Sequence, residues 1–575
     1  MDRPAARRRD GVSRAGANRA GDAVATFLTS FWARHPVTAT FAGASGHDGV
    51  YPDWSPEALD ASLLTLRAER DALAEPLALA EAALASAPWP DAAPLVDLRL
   101  ADAMLEIEIA ERAGLHFHRG NPVLATGEAV FGIISLMLRH DRPLDERHAH
   151  AVRRLEGMPA FLEGARRSLA RPIPLAWRDR AARDCEGAAV LLRDGLPVWY
   201  AEGGAELPAA VATAQAALAD HAAWLSREAP IDTANSVSAG AVMFGLMLAR
   251  GHWSDRPVST WRRDVSEQFA LARGRLSGMA GSLAPGGWAE VEARLAMDLP
   301  TSDRYLPELH ECWAACRAKA LEMQYVDWPD APLRFAPPAE GTRAAAPYLY
   351  YLPYRCPAPL VPTGVHTHEV APLVIDASGT ARVSPGMTRA QIKLNHVVHH
   401  AALGHHVQNW YAARSASQIG RVTAVDGASR IAMFMGGSLA EGWACYATDL
   451  MDEAGFLTPD ERVAEQHTRV RLLARALMDI DLHTGERSLD DVARFYALEV
   501  GMGDAAARNE AVKNSMFPGA AIMYWLGLDG IHELRLARAA RDGEAFDLRA
   551  FHHEILAMGA IPVPMIAERL SLGSA

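Results

Sequence analysis

The spacing of apolar side chains constrains this chain most, because over long runs they recur at three- and four-residue intervals. In ALDASLLTLRAERDALAEPLALAEAALASA, residues 58–87, that interval lines Leu and Ala along one stripe of an amphipathic helix. The same texture returns in PLVDLRLADAMLEIEIAER, LPAAVATAQAALADHAAWLSREA and TWRRDVSEQFALARGRLSGMAGSLA. Leu and Ala are also strong helix formers, so propensity and pattern agree. Pro- and Gly-bearing turns such as SAPWPDAAP and SLAPGGWAE separate the helices. No fixed-period repeat is found, which argues against a solenoid.

Four regions follow along the 575 residues. Residues 1–22 form an Arg-rich tail, expected to be disordered, without the apolar run of a secretory signal. Residues 23–325 are an N-terminal helical region. Residues 326–386 are a Pro-rich connector with short strands, in which LVIDASGTARV reads as a hairpin turning at DASG. Helical pattern resumes at Met387 and continues over 387–575. The expected fold class is mainly α, a large multi-helix body with a small β insert around residues 345–385.

With 57 basic and 70 acidic residues the formal charge is −13, which excludes a dedicated nucleic-acid surface. No uncharged apolar run reaches the length of a membrane span. Cysteines 185, 312, 316, 356 and 445 are too few and scattered for a disulfide framework, which points to a reducing compartment and a cytoplasmic protein. Cys312 and Cys316, on one helix face, read as small buried residues rather than metal ligands.

Chemistry concentrates in NHVVHHAALGHHVQNW, where five of the chain's 22 histidines fall between His396 and His406. His396 and His400 stand at i and i+4, as in a helical zinc pair, but the second residue of that frame is Val397, not a water-activating Glu. Alternatively His399 pairs with His405. Six residues on an unbroken helix rise about 9 Å to the far face, so this pairing needs a kink, for which Gly404 is the cheapest place. His366 and His368, in GVHTHEV, share one face of an extended segment, a common metal arrangement. They read as exposed loop histidines; were they to approach the cluster, Glu369 would supply a carboxylate.

The stretch HHAALGHHVQ, 399–408, resembles the HExxPGHH motif of the bacterial "domain of unknown function 885" family, whose members resemble zinc metallopeptidases. SLAEGWACYATDLMDEAGF (438–456), RALMDIDLHTGERSLDDVARFY (475–496) and SMFPGAAIMYWLG (515–527) resemble three further blocks of that family. So does the opening FWARHPVTATFAGASGHDGVYPDWSPEALDA (31–61), and the resemblance covers nearly the whole chain beyond the tail. It implies a zincin-like body with His399, His405 and Glu441 as metal ligands. His406 and His396 are the alternates. Three N or O ligands and one open position suit a catalytic zinc.

This sequence departs from the family pattern at His400, where the motif has Glu, and at Leu403, where it has Pro. Ala520 and Trp525 replace an expected Gln and Lys. Imidazole can take a proton as carboxylate does, so His400 has three readings: general base, extra ligand, or relic. His483 and Tyr524 are candidate partners for a developing oxyanion, with a hydrogen-bonded core side chain as the alternative. Arg475 and Asp479 read as an i, i+4 ion pair, and Tyr350 and Tyr351 as cleft-lining. The resemblance implies a metal-dependent, zinc-using hydrolase acting on a peptide or small-molecule amide. The His-rich set also suits Fe, Cu or Ni in a non-hydrolytic metalloenzyme, and an inactive binding protein is the third reading.

Overall fold

The run at 58–87 forms a helix at Pro56–Leu84, started where Ser55 accepts from the Ala58 N–H. Its buried Leu59, Leu66, Leu73 and Ala80 repeat every seven residues. This computed structural model describes residues 3–200, 206–343, 346, 357–361, 364–423 and 431–571, with side chains left aside at 3–16 and 431–434. Tyr350, Tyr351 and Cys356 lie outside those residues.

Helices make up most of the described chain. The first runs Arg3–Arg34 and so takes in most of the segment expected as a disordered tail. Arg and Ala are good helix formers, so a helix anchored by buried Val24, Phe27 and Phe31 extends back through it. The Pro122–Leu138 helix, apolar all round, is correspondingly buried all round. Fully buried Arg154 ties this region together, donating to Thr40 Oγ1 and Ser135 Oγ (each 2.8 Å) and to the Pro36 and His47 carbonyls (each 3.2 Å). One hydrophobic core runs from Ala20 to Ala567, across the boundary expected at residue 325. Among the described residues, no helix is long and apolar enough to cross a membrane.

Strands are confined to three two-stranded pairs among the described residues. The expected hairpin is present as Val374–Ile375 against Ala381–Arg382. Asp376 Oδ1 accepts from the Ser378 and Thr380 N–H groups, and Gly379 takes φ +80°. A second pair joins Leu333–Ala336 in parallel to His366–Glu369, with Phe335 opposite His368.

Two helices that bear on the site, Ile431–Glu453 and Met523–Asp542, cross at glycines. A Cβ on Gly442 would lie 2.4 Å from the Gly527 carbonyl carbon, and one on Gly527 only 1.7 Å from the Ser438 oxygen. The crossing therefore brings backbone against backbone. Gly527→Ala is expected to cost about 3 kcal/mol or more, because backbone rather than a flexible side chain must yield; urea denaturation measures it.

Four core histidines are held neutral by burial, His118 and His552 pushed down to about 3 and His221 and His252 to about 4. An unfolded histidine titrates near 6.5, so below that pH the unfolded chain takes up protons that the folded one refuses. The stability they contribute is fully present above about pH 6.5 and drains as pH falls towards 4 and then 3. Thermal midpoints measured between pH 7.5 and 4.5 are expected to fall steadily, and His552→Phe is expected to flatten the slope.

Candidate metal centre

The histidine helix begins at Arg389–Gln391, where Thr388 accepts from the Gln391 N–H, and continues as a wide π-helix over Ile392–Ala401. A π turn closes on the fifth residue, so successive side chains turn by roughly 80° rather than 100°. That winding lets neighbouring His399 and His400 face one point. At Ala402 (φ −120°, ψ −113°) the helix breaks, and a new one starts at His405–Ala412.

The break falls where sequence reasoning asked for it. A Cβ on Gly404 would lie 1.9 Å from the His399 carbonyl oxygen, so only glycine fits. Carbonyls freed by the break are bonded by two indoles: Trp313 Nε1 donates to Ala401 and Trp443 Nε1 to Leu403, each at 2.8 Å. Trp443 stands two residues after Glu441 on the Ile431–Glu453 helix. Glu441, Gly442 and Trp443 thus serve three contacts: the histidines, the helix crossing and the break.

Across the break, His405 returns towards His399. Glu441 Oε2 lies 3.5 Å from His399 Nε2 and 3.4 Å from His405 Nε2. One ring nitrogen each from His399, His400 and His405 lies within 4.8 Å of the other two. His400 Nδ1 donates to the Asn395 carbonyl at 2.7 Å, which leaves Nε2 as the lone-pair nitrogen of the neutral ring. His406 turns away and bonds the Ala331 carbonyl through Nε2 at 3.0 Å. Of the two neighbours, His405 is therefore the one that faces Glu441.

The reading of His366 and His368 as exposed loop histidines is corrected. His368 is buried, with Nε2 3.1 Å from His396 Nδ1 and its ring 5.7 Å from that of His400. The His366 ring stands 6.1 Å from that of His406. Parallel pairing with Leu333–Ala336 carries both rings there, whereas strand alternation sends Glu369 to the opposite face, beside Thr367. The His-x-His spacing was the available signal; the distant partner strand was not visible.

Burial, the first cause in each case, disfavours charge on His399 and on the histidines packed around it. It pushes His396 and His406 down to about 4 and His366 to about 3, and holds His368 and His400 well below the usual value. For Glu441 burial acts upward, but His405 and His399 outweigh it and hold the carboxyl well below its usual range. The result is an ionised carboxylate beside imidazoles on which burial disfavours charge.

His483 and Tyr524 have described contacts elsewhere. His483 is fully buried, its Nε2 donating to the Asn514 carbonyl (3.1 Å) and its Nδ1 accepting from the Ala239 N–H (3.2 Å). The Tyr524 ring lies under the Arg475 guanidinium, 5.2 Å from centroid to carbon. The expected Arg475–Asp479 pair is replaced: Arg475 binds Glu510, and Asp479 accepts from the Gly519, Ala521 and Ile522 N–H groups. Three converging backbone N–H donors are enough to stabilise a buried carboxylate in its charged form. Trp525 is a buried core side chain, and Cys312 and Cys316 are free thiols on one helix, Cys316 fully buried.

Gly404→Ala is expected to destabilise the protein by about 3 kcal/mol or more, since the new carbon meets a carbonyl. Gly274→Ala, in a helix with nothing within 4 Å of the added carbon, is expected to stabilise by about 0.5–1 kcal/mol. Denaturation midpoints of the two variants check the contrast.

Comparison with known proteins bears on the fold. Two solved structures share the fold, from Shewanella oneidensis (18% identity, TM-score 0.72, covering 96% of this chain and 100% of that one) and Colwellia psychrerythraea (16%, 0.69, 97% and 98%). Each is described as a "putative lipoprotein", the first of unknown function. No curated protein matches. Residues 36–570 match the family described as "Bacterial protein of unknown function (DUF885)", and the chain belongs to that family.

Proposed function

We propose that the protein is a metal-dependent hydrolase acting on a peptide or other amide, with a zinc-class cation held by His399, His405 and Glu441. One observation carries this reading: Glu441 Oε2 stands 3.4 and 3.5 Å from the two Nε2 atoms. That is longer than a good hydrogen bond. Ligand atoms at zinc distances of about 2.0–2.1 Å stand roughly 3.3–3.4 Å apart on a tetrahedron. Ligation also requires an ionised carboxylate, which Glu441 keeps, and neutral imidazole, which burial favours at His399.

When bound, such a cation supplies a Lewis acid for a carbonyl and lowers the pKa of water. The chain's own contribution begins at His400. With Nδ1 committed to Asn395, its Nε2 is the atom that accepts a proton or a fourth ligand bond. Glu441 keeps its charge and offsets that of the cation. Buried Trp443 and half-buried Trp313 fix the turn that holds His399 and His405 on one side.

The closeness of His400 to His399 and His405 favours a second reading, in which all three imidazoles and Glu441 close the set around Fe, Cu or Ni for non-hydrolytic chemistry. The cytoplasmic placement read from sparse cysteines belongs to this proposal, and cell fractionation tests it against the description of the two solved relatives.

Elemental analysis after metal-replete expression is expected to give about one zinc per chain, and less than about a tenth in His399→Ala, His405→Ala or Glu441→Ala. A metal-free wild-type protein would leave a binding scaffold instead. His400→Glu is expected to raise hydrolysis of a peptide library by about 10²-fold or more, the usual range for a placed general base. If His400→Glu instead removes a native activity, the imidazole has a role of its own.

A further inference from the structure

We infer that a second, separate site binds a small organic amine in the cleft bounded by residues 252–256, Ser438, the Met523–Asp542 helix and the Val563–Leu570 helix. The cleft has a cavity volume of about 190 Å³ and is partly open to solvent. A cavity of about that size takes a benzene-sized body.

Its charge is unbalanced. Asp529 and Glu533 line it at i and i+4 of one helix, and among the described residues neither has an ion pair or a hydrogen bond. This is unusual here, because carboxylates on the surrounding helices are paired: Asp449 with Arg469 and His532, Glu453 with Arg535, Glu554 with Arg538. The guanidinium in the wall, Arg256, is committed to Asp264 and lies 4.1 Å over the Trp261 ring. His252, pushed down to about 4 by burial, donates through Nε2 to the Gly519 carbonyl and brings no positive charge. Asp255 adds a further negative charge at the mouth. Burial pushes both Asp529 and Glu533 up, and for Glu533 the neighbouring Asp529 adds to it; Arg256 opposes the shift at both, and His532 at Asp529, without reversing it. Two like charges left together in a partly dry place cost stability unless a cation joins them.

A second observation points to a ligand. Ser438 is 1% exposed, lines the same cleft, and its Oγ has no hydrogen-bond partner. A buried hydroxyl ordinarily finds one. The rest of the wall is largely apolar, with Leu526 and Leu534 beside the carboxylates on the same helix and Val563 and Ala567 from another. The complement is an ammonium group set between Asp529 and Glu533, attached to a compact apolar body. A hydrated metal ion would leave the apolar wall uncovered.

Phenethylamine and 2-phenylethanol share one skeleton and differ in charge, so titrating the full chain with each by calorimetry tests the site. The amine is expected to bind at least about tenfold more tightly than the alcohol. Asp529→Asn with Glu533→Gln is expected to abolish that preference, and Ser438→Ala to weaken amine binding by about two- to fivefold. The double variant should also melt higher than wild type, since it removes two unpaired charges. If it does not fold, Ala537→Trp, which fills the cleft, is expected to remove amine binding. Equal binding of amine and alcohol, no binding of either, a preference surviving the double variant, or Ca²⁺ binding without amine binding would each overturn the inference. The readout is binding rather than hydrolysis, so it stands or falls independently of the metal centre.

Discussion

The candidate site depends on a chain break three residues long. Between Ala402 and Gly404 the backbone leaves a wide helix and starts another. This reversal is what brings His405 back beside His399. A break inside a protein strands carbonyls that a continuous helix would satisfy. Here two tryptophans from separate helices bond them, and a missing Cβ at Gly404 lets the strands of backbone close. Remove any of these and the two imidazoles part.

The same economy governs the Ile431–Glu453 helix. Glu441 faces the histidines, Gly442 lets the Met523–Asp542 helix cross at backbone contact, and Trp443 supports the break. Three consecutive residues on a helix point in three directions about 100° apart, so one short block couples the site to the packing that positions it. Burial then disfavours charge on His399 and His400, while the neighbouring His405 and His399 keep it on Glu441. The cluster is electrostatically distinct from the cleft at Asp529, where two carboxylates have no ion pair among the described residues and the nearby Arg256 is bound to Asp264.

Much of this was legible in local patterns. The seven-residue repeat of Leu59, Leu66, Leu73 and Ala80 fixes a buried stripe, and the Asp376–Gly379 turn fixes a hairpin. Gly404 marks the kink because the spacing of His399 and His405 requires one. Other assignments failed where the decisive partner lay far away in the chain. The π winding that turns His399 and His400 together does not follow from residue type. His368 reaches the cluster because Leu333–Ala336 pairs in parallel with its strand. Asp479 chooses backbone donors forty residues on over an adjacent arginine.

By itself, then, the sequence determined most of the helical segments beyond the N-terminal tail, which face of each is apolar, and where the histidine helix has to bend if His399 and His405 are to meet. These follow from side-chain period, propensity and the absence of a Cβ, all properties of near neighbours. Only the tertiary structure decided that His405 rather than His406 meets Glu441, that His366 and His368 join the cluster, and that His483 is held in the core. Those outcomes depend on which buried surfaces meet, and that is set by packing among helices remote in the chain, for which a linear pattern carries no period.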